Sequence, residues 1–182
     1  EPTNEAYAIA KIAGLTHVQS VRRQYGFRWM TVMPTNLYGP GDNFAEGESH
    51  VLAALVRRFV DAKKNNAESV TNWGSGAPKR EFLHSKDLAG AILHVMENFD
   101  TSVPVNVGSG EEYSIRELSE FIQREVGFSG TVNWDASMPD GVDRKLLDQT
   151  ILSQSGWKPS HKLQEELSKM LKDFMSTPSP WL

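Results

Sequence analysis

Apolar residues recur every three or four positions through several stretches of the chain, a spacing typical of amphipathic helices. The first stretch runs from Ala6 to Tyr25, where Gly26 is expected to end the helix. A later stretch begins with Ser114 and Glu117, three residues apart, which is the pattern of an N-terminal capping box. The other helices are predicted at about 51–60, 87–98 and 163–174.

Between the predicted helices lie short runs of β-branched and aromatic residues, which favour strands. The run FRWMTVM, residues 27–33, is bounded by Gly26 and Pro34 and is predicted to be a buried strand. Further strands are expected at about 69–73, 81–83, 104–107 and 131–135, and a polar loop at 34–47. This alternation of strands and helices predicts an α/β fold with parallel strand pairs.

The order of these elements is unusual at the start of the chain, because a parallel α/β sheet normally opens with a strand and this sequence opens with a helix. No G-x-G-x-x-G follows any predicted strand, so the sequence supplies no glycine cradle for the pyrophosphate of a dinucleotide. We therefore expect the chain to correspond to the second half of an α/β fold.

Amino-acid composition indicates which class of protein this is and which kinds of partner it is expected to bind. Of the 182 residues, 39% are hydrophobic and 23% are charged, which is ordinary for a globular protein of one domain or two small ones. The 19 Lys and Arg against 23 Asp and Glu give a net charge of −4, so no nucleic-acid partner is expected. The chain has no cysteine, no apolar run of membrane-spanning length and no basic leader, so we expect a cytoplasmic protein without membrane contact.

Tyr7 and Lys11 stand four residues apart on the first predicted helix, so both side chains are expected on one face. A tyrosine exchanges its proton readily near neutral pH only when a nearby cation favours the phenolate, and Lys11 is placed to be that cation. The same spacing also occurs by chance in many helices. On spacing alone, an acid/base pair and an ordinary surface pair both remain open.

Several longer segments point to a known family. They include YAIAK at 7–11, VMPTNLYGPGDNF at 32–44, WGSGAPKREFLH at 73–84 and NVGSG at 106–110, and the match continues to the Gly-Trp pair at 156–157. Together they resemble the GDP-L-fucose synthase family of extended short-chain dehydrogenases/reductases. The resemblance implies the second half of a Rossmann-like NAD(P)-binding fold plus a small α/β substrate-binding domain, with the glycine-motif half absent. Residues 1–45 would be the Rossmann remnant, and 46–182 mainly the substrate-binding region with some segments returning to the Rossmann sheet.

The family converts GDP-4-keto-6-deoxy-D-mannose to GDP-L-fucose, by epimerisation at C3 and C5 and then reduction of the C4 ketone by NADPH. The resemblance implies that Tyr7 gives a proton to the C4 oxygen and that Lys11 supports it and holds the nicotinamide ribose. His50 matches the acid/base of the epimerisation and a cofactor contact, a role that suits an imidazole. A solvated or helix-capping histidine is the alternative.

The remaining matched positions divide between cofactor and substrate. Pro34, Thr35, Asn36 and Leu37 follow a predicted parallel strand, where α/β folds bind ligands, and the family places them against the nicotinamide. The substrate-side positions implied by the family are Arg58, Trp73, Arg80, Asp140 and Lys145. A plain turn, surface charges and a core aromatic are the alternatives for these two groups. No metal site is expected from the other histidines.

The sequence also departs from the family. The glycine fingerprint and the Ser and Cys that act with Tyr and His all precede the position of Tyr7 in the family, and none is present in this chain. Epimerisation needs an acid and a base on opposite sides of the sugar, so His50 alone leaves half of the proton transfer unserved. We therefore expect little or no turnover by this chain alone.

Two further expectations follow from the missing half. Self-association, as a homodimer, would cover the apolar residues Ile12, Leu15 and Val18 of the first helix. The function itself has two alternatives: another sugar-nucleotide epimerase or dehydratase of the same superfamily, or a catalytically silent module that binds a nucleotide sugar.

Overall fold

The structure is a computed structural model that describes residues 5–45 and 49–176. Its helices are α1 (Glu5–Tyr25), α2 (Val51–Lys64), α3 (Ser85–Asn98), α4 (Ile115–Val126), α5 (Thr150–Gln154) and α6 (Leu163–Ser176). Its strands are β1 (Val32–Pro34), β2 (Asn36–Tyr38), β3 (Ser69–Trp73), β4 (Lys79–His84), β5 (Val105–Val107), β6 (Glu112–Ser114), β7 (Thr131–Asp135) and β8 (Arg144–Lys145). The predicted α/β fold is confirmed.

Most strand pairs are parallel, as expected. β1 pairs with β5, with Val32 opposite Val105, and β3 pairs with β7 along all five residues of each strand. β4 is the centre of the third sheet, because it pairs in parallel with β2 and β8 and antiparallel with β6. β4 therefore lies beside three segments that come from distant parts of the chain.

The predicted buried strand at 27–33 is wrong in extent and in burial. The strand is β1 and begins only at Val32, because its partner β5 offers three residues for pairing. Upstream of it, Phe27 and Trp29 are about half exposed, and the Phe27 ring stacks on Tyr25 at 5.8 Å between centroids. Phe27 and Trp29 therefore lie at the surface, whereas Met30 and Val32 of the same run pack against the core around β5.

The larger core lies between α2, α4 and α6, where the helical periodicity buries one face of each. Phe59, Ile122 and Leu167 are fully buried there. The predicted capping box is confirmed: the Ser114 side chain accepts from the Glu117 amide, and the Glu117 carboxylate accepts from the Ser114 amide. This arrangement satisfies two amide donors that a bare helix start would leave unpaired.

A smaller core lies around β5 and α3, with Leu83, Val95 and Leu152 among its buried members. Ile92 does not join this core, since it lies at 36% exposure on α3. Sequence periodicity also missed α5, β2, β6 and β8 because each has at most five residues.

α1 differs from the other long helices because none of its residues is buried. Its C-terminal half is held by hydrogen bonds from Gln19 to the Ser102 carbonyl and by an ion pair between Arg22 and Asp100. Ile9 and Ile12, in the N-terminal half, are more than half exposed. Across 5–45 and 49–176, no helix combines the length and apolarity that crossing a membrane requires.

Candidate active site

Tyr7 and Lys11 lie on one face of α1, as their spacing predicts. The Lys11 Nζ atom is 5.3 Å from the centroid of the Tyr7 ring, a cation–π distance. Tyr7 is 67% exposed, and within the described ranges neither side chain has a hydrogen-bond partner. The hydroxyl and the ammonium group are therefore both accessible to a ligand that approaches this face.

His50 occupies the N-cap position of α2, in an extended backbone conformation. Its side chain makes no capping hydrogen bond and is exposed, while its backbone carbonyl accepts the first helical bond, from the Ala54 amide. Capping therefore does not explain this histidine, and its imidazole is available for other contacts.

The segment 34–37 crosses from one sheet to another. Pro34 ends β1, and the Thr35 amide donates to the Val107 carbonyl at 3.0 Å. The Thr35 hydroxyl and the Asn36 amide both donate to the backbone carbonyl of Glu81, at 3.1 and 2.9 Å. Leu37 packs in the smaller core. The side chains of Thr35, Asn36 and Leu37 are thus turned into the protein, whereas Pro34 is exposed at the end of β1.

Glu81 is a site residue that sequence reasoning missed. Its side chain is completely buried, and its carboxylate accepts from the Gly110 amide at 2.7 Å and the Leu147 amide at 3.1 Å. The backbone carbonyl of the same residue holds the 34–37 segment. Glu81 therefore joins the cofactor-side segment to the loop that follows Lys145. Glu81 is the first residue of the short strand predicted at 81–83, and the sequence gives no sign that its side chain is buried.

Arg58 projects from α2 toward β3. Its Nη1 atom donates to the Asn72 side-chain oxygen at 2.8 Å, and the Asn72 amide donates to the Ser119 hydroxyl at 2.8 Å. Burial lowers the pKa of Arg58 from its usual value. Trp73, the next residue of β3, points to the opposite face and is 63% exposed, so its ring is not a core aromatic.

The turn after Trp73 is fixed by Asp140. The Asp140 carboxylate accepts from both the amide and the hydroxyl of Ser75, each at 2.7 Å, and these bonds lower the pKa of Asp140. Gly74 has φ = 73°, and a Cβ there would fall 2.1 Å from an Asp140 oxygen. On the other side of the turn, the Arg116 guanidinium donates to the Ser75 carbonyl. Asp140 thus supports the turn through one bond to each of its carboxylate oxygens.

Arg80 and Lys145 are neighbours across the β4–β8 pair, with their Cα atoms in register. The Arg80 Nη1 atom donates to the Lys79 carbonyl at 2.8 Å, and Arg80 lies close enough to Asp140 to act on it electrostatically. Two cations therefore stand side by side on an exposed edge, with the Asp140-supported turn beside them.

The structure brings the candidate substrate residues into two groups, and the Tyr7–Lys11 pair contacts neither group within the described ranges. Arg58 lies behind β3, whereas Arg80, Asp140 and Lys145 lie along β4 and the 74–76 turn. Within the described ranges, no hydrogen bond or ring contact links Tyr7 or Lys11 to either group. An open cavity of about 600 Å³ beside Gln149 and Trp157 contains none of the candidate residues. The Asp148 carboxylate at this cavity already accepts from the amide and the hydroxyl of Thr150.

Two of the other histidines, His84 and His161, contact each other between α3 and the start of α6. His84 and His161 stack with ring centroids 4.3 Å apart. The His161 Nδ1 atom lies 2.8 Å from Asp87, whose carboxylate also accepts from Ser160. Burial acts to raise the pKa of Asp87, but the bonds from His161 and Ser160 prevail and lower it. This buried cluster fixes the start of α6 against α3.

Residues 1–108 match the model of the NAD-dependent epimerase/dehydratase family. Among curated proteins, the chain is 52% identical over 169 residues to GDP-L-fucose synthase 1 of Arabidopsis thaliana, covering 93% of this chain and 52% of that protein. It is 50% identical over 184 residues to the GDP-L-fucose synthase of Escherichia coli, covering 96% and 57%. The chain thus spans about half the length of the curated relatives it matches.

Solved structures agree on the fold. The NADP-bound GDP-L-fucose synthetase of Naegleria fowleri superimposes with a TM-score of 0.87 at 27% identity, over 96% of this chain and 57% of that one. A UDP-glucose 4-epimerase of Thermotoga maritima superimposes with a TM-score of 0.80 at 26% identity, over 92% and 52%. The architecture is therefore shared by enzymes for both GDP and UDP sugars.

Proposed function

The chain belongs to the NAD-dependent epimerase/dehydratase family, and from that premise we propose that it supplies the substrate-binding half and part of the catalytic set of a GDP-L-fucose synthase. The observation that carries the proposal is the identity of about 50% with curated GDP-L-fucose synthases along nearly the whole chain. The proposed substrate is GDP-4-keto-6-deoxy-D-mannose, which is epimerised at C3 and C5 and then reduced at C4.

The reduction is the step to which this chain contributes most directly. Bound NADPH supplies a hydride to C4. The Tyr7 hydroxyl gives its proton to the C4 oxygen, and the Lys11 ammonium, one helical turn away, stabilises the phenolate that remains. The exposure of both groups on one face of α1 is what this chemistry requires, because the sugar must approach the hydroxyl directly.

The residues present fit one end of the cofactor. Lys11 would donate to the ribose next to the nicotinamide, and the segment 34–37, at the carboxyl end of β1, would lie against the nicotinamide. His50 would contact the cofactor from the start of α2. The pyrophosphate has no glycine cradle in this sequence. The chain therefore accounts for the reactive end of NADP and not for the rest.

The epimerisation needs two acid/base groups, and this sequence supplies a candidate for only one of them. His50 would move a proton at C3 or C5, since its imidazole is exposed and not engaged in capping. No cysteine is available to act on the opposite side of the ring. We therefore propose that the 182-residue polypeptide binds the GDP sugar but turns it over little or not at all.

The substrate diphosphate would be held by the cationic groups. Arg58 is half-buried, and Arg80 and Lys145 are adjacent across two strands, so both locations can pair with phosphate oxygens. Trp73 offers an exposed ring against which a sugar or base can stack. Asp140 would act by fixing the turn that follows Trp73 rather than by touching the substrate.

Calorimetry with GDP and UDP tests the proposal. We expect GDP to bind and UDP to bind at least about tenfold more weakly, with Arg58→Ala and Arg80→Ala each reducing GDP affinity about tenfold. Arg124→Ala, an exposed arginine on α4, is the matched control and should bind GDP as the parent does. Preference for UDP would favour another sugar-nucleotide epimerase or dehydratase. Failure to bind either nucleotide would reject the proposal.

The wider organisation is part of the same proposal. Residues 1–45 would belong to the dinucleotide-binding domain and 46–182 mainly to the substrate domain, with β5 returning to pair with β1.

A homodimer would cover the exposed face of α1. A cytoplasmic location fits a protein without cysteine. NADPH-dependent ketone reduction by this chain alone would reject the silent-module alternative.

A further inference from the structure

Asn72 is a fully buried polar residue with a side chain saturated by two partners. It is 1% exposed, and the neighbouring Ser119 on α4 is equally buried. The Asn72 oxygen accepts from Arg58 and its amide donates to Ser119, both at 2.8 Å. Because a guanidinium can only donate, the Asn72 oxygen faces Arg58, and the bond from the NH₂ group to the Ser119 hydroxyl holds the amide in that orientation.

Nη1, which donates to Asn72, is the only Arg58 nitrogen that makes a hydrogen bond in the part of the chain that the structure describes. Nη1 is engaged, whereas Nε and Nη2 have no hydrogen-bond partner within 5–45 and 49–176. A flexible guanidinium loses conformational freedom when it binds an anion, so an arginine already held by a neutral acceptor loses less. Since Asn72 carries no charge, it restrains Arg58 without neutralising it.

We infer that Asn72 and Ser119 are positioning residues that hold the Arg58 guanidinium, fully charged and with two edges free, for the diphosphate of a nucleoside-diphosphate sugar. The inference rests on the proposed function, because it takes Arg58 to be a substrate contact. It assigns a binding task to two buried residues on β3 and α4 that lie behind the site rather than in it.

Asn72→Asp separates this role from a purely structural one. Aspartate has nearly the same shape, and both hydrogen bonds can be kept, because the Ser119 hydroxyl can turn to donate. The new carboxylate would pair with Arg58 and compete with the diphosphate. We expect GDP affinity to fall about tenfold or more while the protein remains folded. Asn72→Leu removes the restraint without adding charge, and we expect a fall of about three- to tenfold.

Ser119 gives a second route that does not depend on Asn72 variants folding. In Ser119→Ala the Asn72 amide loses the bond that orients it, and we expect GDP affinity to fall about threefold. Ser119→Thr keeps the hydroxyl and should restore the parent affinity. Recovery of binding by threonine is a result that a general loss of packing would not produce.

The experiment is calorimetric titration of the full chain with GDP, with thermal unfolding of every variant measured alongside. Parent-like GDP affinity in a folded Asn72→Asp variant would overturn the inference. Unchanged affinity in Ser119→Ala would also overturn it. Arg58→Ala is measured in the same series: if it binds GDP as tightly as the parent, the proposed role of Arg58 fails, and this outcome is distinct from failure of Asn72 and Ser119 alone.

Discussion

Replacing Glu81 should destabilise the fold more than any exposed acid would. Its carboxylate lies in a fully buried position and accepts two backbone amides, from Gly110 at 2.7 Å and Leu147 at 3.1 Å. In Glu81→Gln, the amide oxygen can accept only one of these bonds, and the new NH₂ group faces the other N–H. One partly buried N–H donor then loses its acceptor.

The expected cost follows from those two bonds. Losing a hydrogen bond to a fully buried carboxylate and leaving its N–H donor without an acceptor costs about 2–3 kcal/mol, so Glu81→Gln should lower the free energy of unfolding by about that amount. Glu81→Ala strands both donors and should cost about 3–5 kcal/mol. For a chain of this length, 2–3 kcal/mol corresponds to a fall in Tm of about 5–10 °C.

Urea unfolding followed by circular dichroism measures these differences. Glu97→Gln is the matched control, because Glu97 is exposed on α3 and the same chemical change there should alter stability by less than about 0.5 kcal/mol. If Glu81→Gln unfolds at the same urea concentration as Glu97→Gln, the two amide bonds do not contribute as the geometry implies.

Gly108 offers an independent check on the same carboxylate. A Cβ at Gly108 would lie 2.2 Å from Glu81 Oε1 and 2.8 Å from its carboxyl carbon. A flexible surface side chain could move away, but this carboxylate is held by two amides. Gly108→Ala should therefore destabilise the protein by about 1–3 kcal/mol. The destabilisation should shrink when Gly108→Ala is combined with Glu81→Ala, because the clash is then removed.

Three further predictions concern other parts of the molecule. Burial lowers the pKa of His84, so as the pH falls the unfolded chain binds a proton at His84 before the folded chain does. The free energy of unfolding should therefore drop as the pH falls from about 7 to 5, by at most about 1.4 kcal/mol per pH unit. In His84→Gln, urea unfolding should show a smaller change in stability over the same pH range. Ile12→Glu, on the uncovered face of α1, should reduce self-association measured by light scattering, and a parent that is monomeric at high concentration would contradict this. Ser114→Ala should cost about 1 kcal/mol of unfolding free energy, whereas Ser114→Thr should cost less.

The elements that sequence pattern predicted well are those whose periodicity extends over three turns or more. α2, α4 and α6 were placed within a few residues, and the Ser114 cap was identified because its two side chains satisfy each other locally. The sequence did not predict β2 and β8, because strands of two or three residues show no periodic pattern. These strands form only because they pair with β4 in the folded chain.

In the candidate site, too, contacts between residues close in sequence could be predicted and contacts between distant residues could not. The Tyr7–Lys11 face could be predicted, because i and i+4 meet on any helix. The role of Asp140 as support for Ser75 could not, since the two residues lie 65 positions apart and meet only in the folded chain. Glu81 was missed for a related reason: its amide partners come from two distant loops, and nothing local marks them.

The residues proposed to bind the substrate are held in place by more contacts than the residues proposed to catalyse its reduction. On the substrate side, Arg58 is fixed by a buried pair and the turn at Ser75 is held from two sides, by Asp140 and Arg116. On the catalytic side, Tyr7 stands on a helix with no buried residue. Preorganised groups bind without a large entropic cost, whereas catalysis needs the hydroxyl placed to within a fraction of an ångström. Binding of a GDP sugar and its turnover should therefore be separable in this chain, with binding the property that survives alone.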